Sequence, residues 1–210
     1  MMESRKIKIS IIEDSQIHTE WFRCKIQADS NIRIISEDRL GSSGIASVKT
    51  HHPDIVLLDF QLEDITGLEV AKRIKAVDKK TRIFAITAHT EASIINKIIN
   101  DKNIDALAVK GSRYFDDNII KSIHDVANGG TYIDPSLLKK LREKERDSLS
   151  NREFEILVHS ATGKSDIEIA NNLFVDPSHV RNIKSKIKKK IKTNNFFEMI
   201  SSLIKNKANK

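Results

Sequence analysis

Five separated positions carry the chemistry this sequence can do. Glu13 and Asp14 follow the apolar run 6–12, Asp59 follows 54–58, Thr87 ends 82–87, and Lys110 follows 105–109. If those runs are neighbouring strands, three carboxylates converge. Three acids in one place repel one another unless a cation lies between them, and Mg²⁺ prefers oxygen ligands. A hydroxyl and an ammonium beside that cluster suit a phosphoryl group held on Asp59, with Lys110 and the metal balancing its charge. Singly, each position has an ordinary explanation: a solvated or capping acid, a strand threonine, a surface lysine. The joint spacing is what points to chemistry.

Bringing these residues together requires alternating strands and helices. Residues 6–12, 32–37, 54–58, 82–87 and 105–109 are short and rich in Ile, Val, Leu or Ala. The run Ile55, Val56, Leu57, Leu58 is apolar on both faces, as a strand covered on both sides must be. Helical periodicity marks 15–28, 68–76 and 91–99, and Ile119, Ile123 and Val126 mark a last helix. This pattern predicts an α/β fold with a doubly wound, five-stranded parallel sheet in the order 2-1-3-4-5. Right-handed crossovers then put the site at the carboxyl ends of the strands, where the order reverses. Asn128, Gly129 and Gly130 end the last helix.

The remainder reads as short helices. Ser150–Glu153 and Ser165–Glu168 each have the spacing of a capping box, in which Ser and Glu serve each other's orphan amides. Gly163 suits a helix C-terminus. Asp176 with Pro177 opens a third helix, with Val180, Ile183, Ile187 and Ile191 as its apolar stripe. Two short helices joined by a tight turn form a helix-turn-helix. Arg181, Lys184, Ser185 and Lys188 share the outward face of the second, a face that suits a DNA major groove. The expected domains are 1–127, a charged linker 128–147, and 148–210.

Charge follows the same division. The chain has 210 residues and a net charge of +7. Residues 1–147 contribute +1 and residues 148–210 contribute +6. That asymmetry joins a neutral module to one that binds a polyanion. A single cysteine excludes an internal disulfide framework and fits a reducing cytosol. Cys24 is expected to pack on the first helix, and His51 and His52 to lie in a loop. No apolar run approaches the roughly 18 residues of a membrane span. The N-terminal segment reads as too short and too acidic for a signal peptide.

The residues Glu13, Asp14, Asp59, Thr87 and Lys110, with Gly67 eight positions after Asp59, resemble the receiver domain of two-component response regulators over about residues 5–127. The resemblance implies that Asp59 is the phosphoacceptor. It also implies that Glu13, Asp14, Asp59 and the Gln61 carbonyl bind Mg²⁺, and that Thr87 and Lys110 sense the phosphoryl group. The sequence departs from the family at four points. Leu62 and Glu63 stand where Met and Pro are usual, Leu107 where the switch aromatic is usual, and Gly111 where Pro often follows the lysine. Without proline a cis bond at Gly111 costs roughly 3–4 kcal/mol, so a trans or strained bond is expected there.

Residues 148–191 resemble the LuxR-type DNA-binding domain through Leu149–Glu153, Gly163–Ala170 and Val175–Asn182. The segment Gly130–Pro135 resembles the junction of the NarL/FixJ subfamily. Here Asn151 replaces a common Pro and Ile183 a usual His. The resemblance implies that Ser178, His179, Arg181, Asn182, Lys184, Ser185, Lys188 and Lys189 contact DNA. It further implies that Phe197, Ile200, Leu203 and Ile204 form a dimer contact on DNA; a plain core face is the competing explanation for those four.

The expected protein is therefore a cytoplasmic transcriptional regulator, not an enzyme beyond its own phosphoryl transfer and slow autodephosphorylation. Its expected partners are a sensor histidine kinase, double-stranded promoter DNA and a second copy of itself, with no membrane. The alternatives are a regulator that binds DNA without phosphorylation and an aspartyl-phosphate phosphohydrolase. Against the hydrolase, the position two after Asp59 is Gln61 and not a second acid. An RNA adaptor lacks the aromatic platform that single strands need.

Overall fold

The computed structural model describes residues 5–138 and 149–191 of the chain. The first part alternates β1 (Ile7–Ile12), α1 (Gln16–Ile26), β2 (Ile32–Asp38), α2 (Gly41–His51), β3 (Ile55–Asp59), α3 (Gly67–Val77), β4 (Arg82–Thr87), α4 (Ala92–Ile99), β5 (Ala106–Val109) and α5 (Arg113–Ala127). A short strand, β6 (Tyr132–Ile133), follows. The sheet is parallel throughout and has the order β2-β1-β3-β4-β5-β6.

Each strand splits its side chains between two cores because successive residues point to opposite faces. In β3, Ile55 and Leu57 join α1 and α5 through Phe22, Ile26, Phe115 and Ile119. Val56 and Leu58 join the opposite core with Val48, Val70, Ile74 and Ile98. Both cores are closed, which accounts for the continuous apolar runs of the central strands. The aromatic residues gather on the α1–α5 side, where Phe115 packs 5.6 Å from Phe84 and 6.2 Å from Tyr132 between ring centroids.

Two features depart from the expectations above. The first is α2, whose sequence GSSGIASVKTH shows no helical periodicity worth reading. Its glycines are there for contact. A Cβ on Gly44 would lie 2.3 Å from Ile12 Cδ1, so the helix seats directly on β1. Its N-cap position, Leu40, makes no side-chain cap hydrogen bond. The cap comes from another loop: Asp64 accepts from Gly41 N at 2.8 Å and from Ser42 N at 2.9 Å. Those amides hold the Asp64 carboxyl down to about 2, as hydrogen bonding to the charged form does.

The second is the sixth strand. Among the described residues the sheet has six strands, not the five expected, and the sixth comes from within the stretch 128–147 expected to be linker. Tyr132 pairs with Ala106 and Ile133 with Leu107. Behind them Asp134, fully buried, accepts from Ser112 Oγ at 2.9 Å, Val109 N at 3.3 Å and Ser136 N at 2.9 Å. A chain that leaves the last helix at glycine has free backbone groups, and the open edge of β5 satisfies them. Asp134→Ala removes the acceptor of four donors: Val109 N, Ser112 Oγ, Ser136 N and Ser136 Oγ. It should destabilise the protein by about 3 kcal/mol, read as a lowered denaturant midpoint with an unchanged m-value. The charged stretch 139–147 lies outside the described residues.

The second part contains α6 (Asn151–Ala161), α7 (Asp166–Leu173) and α8 (Pro177–Ile191). Both capping boxes form, Ser150 with Glu153 and Ser165 with Glu168. Asp176 Oδ1 accepts from Ser178 N at 2.7 Å and opens α8. Phe174 makes the turn between α7 and α8 with φ 53°. Arg152 of α6 fastens that turn by donating to the Leu173 carbonyl at 2.7 Å. Buried Val180, Ile183 and Ile187 seat α8 on Phe154, Leu157, Ile169 and Ala170.

Candidate functional site

The carboxyl ends of β1, β3 and β5 bring four of the five expected positions, Glu13, Asp14, Asp59 and Lys110, into one cluster. Lys110 Nζ donates to Asp59 Oδ2 at 2.9 Å and to Glu13 Oε1 at 3.0 Å. Glu13, Asp14 and Asp59 each present a carboxylate oxygen within 4.8 Å of the others. Asp59 and Glu13 are buried, whereas Asp14 is half-buried. The Gln61 amide donates to Asp59 Oδ1 at 3.1 Å, which fixes the orientation of that carboxylate. Thr87 is buried at the end of β4, its hydroxyl accepting from His89 N at 3.0 Å. Its carbonyl accepts from Lys110 N at 2.9 Å, which aligns the fifth position beside it.

The electrostatics call for a further cation. Burial pushes the Glu13 carboxyl above its usual range, the charge of Asp59 adds to the effect, and the Lys110 hydrogen bond opposes it. Among the described residues, the Lys110 ammonium pairs with Glu13 and Asp59, and Asp14 lies beside them. Glu13 Oε2 lies 2.9 Å from Lys110 Nζ, yet it makes no directed hydrogen bond among the described residues. Three carboxylate oxygens within 4.8 Å of one another, two of them from buried residues, fit a hard divalent cation.

The outward face of α8 forms the second surface. Ser178, His179, Arg181, Asn182, Ser185, Lys188 and Lys189 are exposed. Lys184 is half-buried and donates to Asp166 Oδ1 at 2.6 Å, tying α8 to the start of α7. The four apolar positions 197–204 lie outside the described residues.

The sequence matches the family described as "Response regulator receiver domain" over residues 9–112, and that described as "Bacterial regulatory proteins, luxR family" over residues 147–203. It is 27% identical to the probable transcriptional regulatory protein NarL of Mycobacterium tuberculosis over 186 residues, 85% of each chain. It is 26% identical over 191 residues to the nitrate/nitrite response regulator protein homolog of Haemophilus influenzae, covering 87% of this chain and 90% of that one. The chain is a response regulator with a LuxR-type DNA-binding domain. Its fold is also that of RcsB from Salmonella enterica serovar Typhimurium bound to promoter rprA, with a TM-score of 0.59 and 18% identity, over 94% of this chain and 98% of that one. A LuxR-family response regulator from Aurantimonas gives a TM-score of 0.61 at 20% identity, covering 68% of this chain and 99% of that one.

The regulator's departures from its family have local physical explanations. Leu107 is fully buried in the core that faces α3 and α4, so the place of the usual switch aromatic is an ordinary packing position. Gly111 has φ 72° and open space where a side chain would be, and its peptide bond is trans. Cys24 is exposed, contrary to the expectation that it packs. No described helix is long and apolar enough to cross a membrane.

His18 was not legible as a site residue in the regulator's sequence. Its Nδ1 lies 3.2 Å from Glu13 Oε1 and 3.3 Å from Lys110 Nζ, so it forms part of the rim of the acidic cluster. The available signal was positional. Ser15 caps α1 by accepting from His18 N, which turns the third residue of the helix back over the end of β1.

Proposed function

We propose that Asp59 accepts a phosphoryl group from a partner histidine kinase and that this event controls promoter binding by α8. The observation that supports this most directly is the convergence of Glu13, Asp14, Asp59 and Lys110 at the switch point of the sheet. The nucleophile is Asp59 Oδ; in the transfer it bonds to phosphorus as the donor's P–N or P–O bond breaks. Lys110, already 2.9 Å from Asp59, meets the negative charge that arrives. Thr87 Oγ1, at the adjoining strand end, is the group placed to donate to a phosphoryl oxygen. Glu13, Asp14, Asp59 and the Gln61 carbonyl would hold Mg²⁺, which supplies charge neutralisation for the transferred group. Slow self-dephosphorylation by water follows from the same arrangement, and turnover of free substrates does not.

On the DNA side, Ser178, His179, Arg181 and Asn182 fall in the first two turns of α8, the N-terminal part of a recognition helix that meets base edges. Ser185, Lys188 and Lys189 lie further along and suit phosphates. Lys184 donates to Asp166 and braces the two helices, and its ammonium keeps two further donors for a DNA phosphate. Residues 197, 200, 203 and 204 are assigned as a dimer contact on resemblance alone. The protein is assigned to the cytoplasm, where a kinase and the promoter are both accessible.

A second reading has a specific support: with Leu107 in place of an aromatic, the usual route from Thr87 to the surface is missing, and DNA binding independent of phosphorylation follows. Fluorescence anisotropy with promoter DNA, with and without beryllofluoride and Mg²⁺, separates the two. Gated binding gives a tighter complex with beryllofluoride. Equal affinities would establish the ungated regulator.

A further inference from the structure

The β3–α3 loop has to hold two things still, the orientation of the Asp59 carboxylate and the Gln61 peptide beside it. The chain has three prolines, Pro53, Pro135 and Pro177, and none lies in residues 60–67. Stiffness must come from contacts. At the base of the loop Gly67 N donates to Phe60 O at 3.2 Å. A Cβ on Gly67 would come within 2.8 Å of Phe60 Cα, so the two ends of the loop touch backbone to backbone. At the apex Asp64 leaves its own loop and accepts from Gly41 N and Ser42 N, one oxygen for each amide. Next to it Ile65 lies on α2 so closely that a Cβ on Gly41 would be 2.7 Å from Ile65 Cγ1. Between these two pins the Gln61 amide reaches Asp59 Oδ1 at 3.1 Å.

We propose that Asp64 is a positioning residue for the acceptor site: its grip on the first turn of α2 sets the loop that presents Gln61 to Asp59 and to the metal. The proposal deepens the reading of Asp59 and its Mg²⁺ ligands given above and rests on it. The chemistry of the grip is that of an anion at a helix N-terminus, with two charge-assisted hydrogen bonds into the positive end of the helix dipole. The local alternative is absent, because Leu40 occupies the N-cap position with extended backbone (φ −115°, ψ 143°) and no oxygen to offer. The helix therefore depends on the loop for its cap, and the loop depends on the helix for its shape.

Leu40 provides the experiment that separates a structural cap from a positioning role. In the full-length protein, Asp64→Ala should raise the Mg²⁺ dissociation constant about tenfold, at the low end of what groups orienting metal ligands contribute. Isothermal titration reads this directly. Labelling by acetyl phosphate at saturating Mg²⁺ should stay near the wild-type rate. Asp64→Asn, which keeps one acceptor oxygen, should give a smaller shift. Adding Leu40→Asp to Asp64→Ala restores a local cap on α2. That double variant should recover the thermal midpoint while Mg²⁺ affinity stays weak. Unchanged Mg²⁺ affinity in Asp64→Ala, or recovery of both properties in the double variant, reduces Asp64 to a helix cap and overturns the proposal. Absence of Mg²⁺-dependent labelling in the wild type is a different result: it overturns the assignment of the site itself, and the proposal with it.

Discussion

Asp59→Asn abolishes covalent labelling by acetyl phosphate in the presence of Mg²⁺, and the protein stays folded. The loss is complete because an amide oxygen carries no negative charge and cannot serve as the nucleophile. Survival of the fold follows from the surroundings. Asn keeps an oxygen for the Gln61 amide, and Glu13 retains its ion pair with Lys110. One of three mutually repelling acids is also removed. Acid-urea or Phos-tag electrophoresis measures the labelling, and hydroxylamine sensitivity identifies an acyl phosphate. Persistent hydroxylamine-sensitive label in the variant would move the acceptor to another carboxylate. Lys110→Met gives a contrasting result. It leaves Glu13 and Asp59 buried without a cation and should cost about 3 kcal/mol of stability in Mg²⁺-free buffer.

Arg181→Ala weakens specific promoter binding by about 1–3 kcal/mol and relaxes discrimination at one base position, as expected of a side chain that reads a base edge from the N-terminal half of a recognition helix. Lys188→Ala or Lys189→Ala has another signature. Each should weaken specific and non-specific DNA alike and lower the slope of log K against log salt by about one. The difference follows from position, since all three side chains are exposed but Arg181 is the fifth residue of α8, whereas Lys188 and Lys189 lie near its other end. Salt titrations on operator and scrambled DNA test both. A uniform loss with a reduced salt slope for Arg181→Ala would make it a phosphate contact.

The parts of this molecule legible in its sequence are those where local pattern and tertiary demand agree. The central strands carry continuous apolar runs because both faces of the sheet are covered, and the two Ser–Glu capping boxes form because their bonds close within four residues. The convergence of Glu13, Asp14, Asp59 and Lys110 was legible because these residues stand at the ends of recognisable strands. What was not legible depends on partners distant in sequence. Helix α2 has glycines where a pattern reader wants apolar residues, since Gly41 and Gly44 seat it against Ile65 and Ile12. Its cap is supplied from twenty-three residues away. Strand β6 is two residues long and exists because the edge of β5 is open. Likewise, Cys24 sits on an amphipathic helix whose buried face is set by Phe22 and Ile26, leaving the thiol on the solvent side.

The carboxylate of Asp134 has a mechanical consequence. It ties Val109 and Ser112, which flank Lys110 and Gly111, to the residues through which the chain leaves the sheet. The exit of the polypeptide is thus anchored to the same loop that carries the site's ammonium. On the proposed reading, any displacement of that loop when Asp59 is phosphorylated would be passed to the residues through which the chain leaves the sheet. In engineering terms the second domain hangs from the actuator and not from the frame.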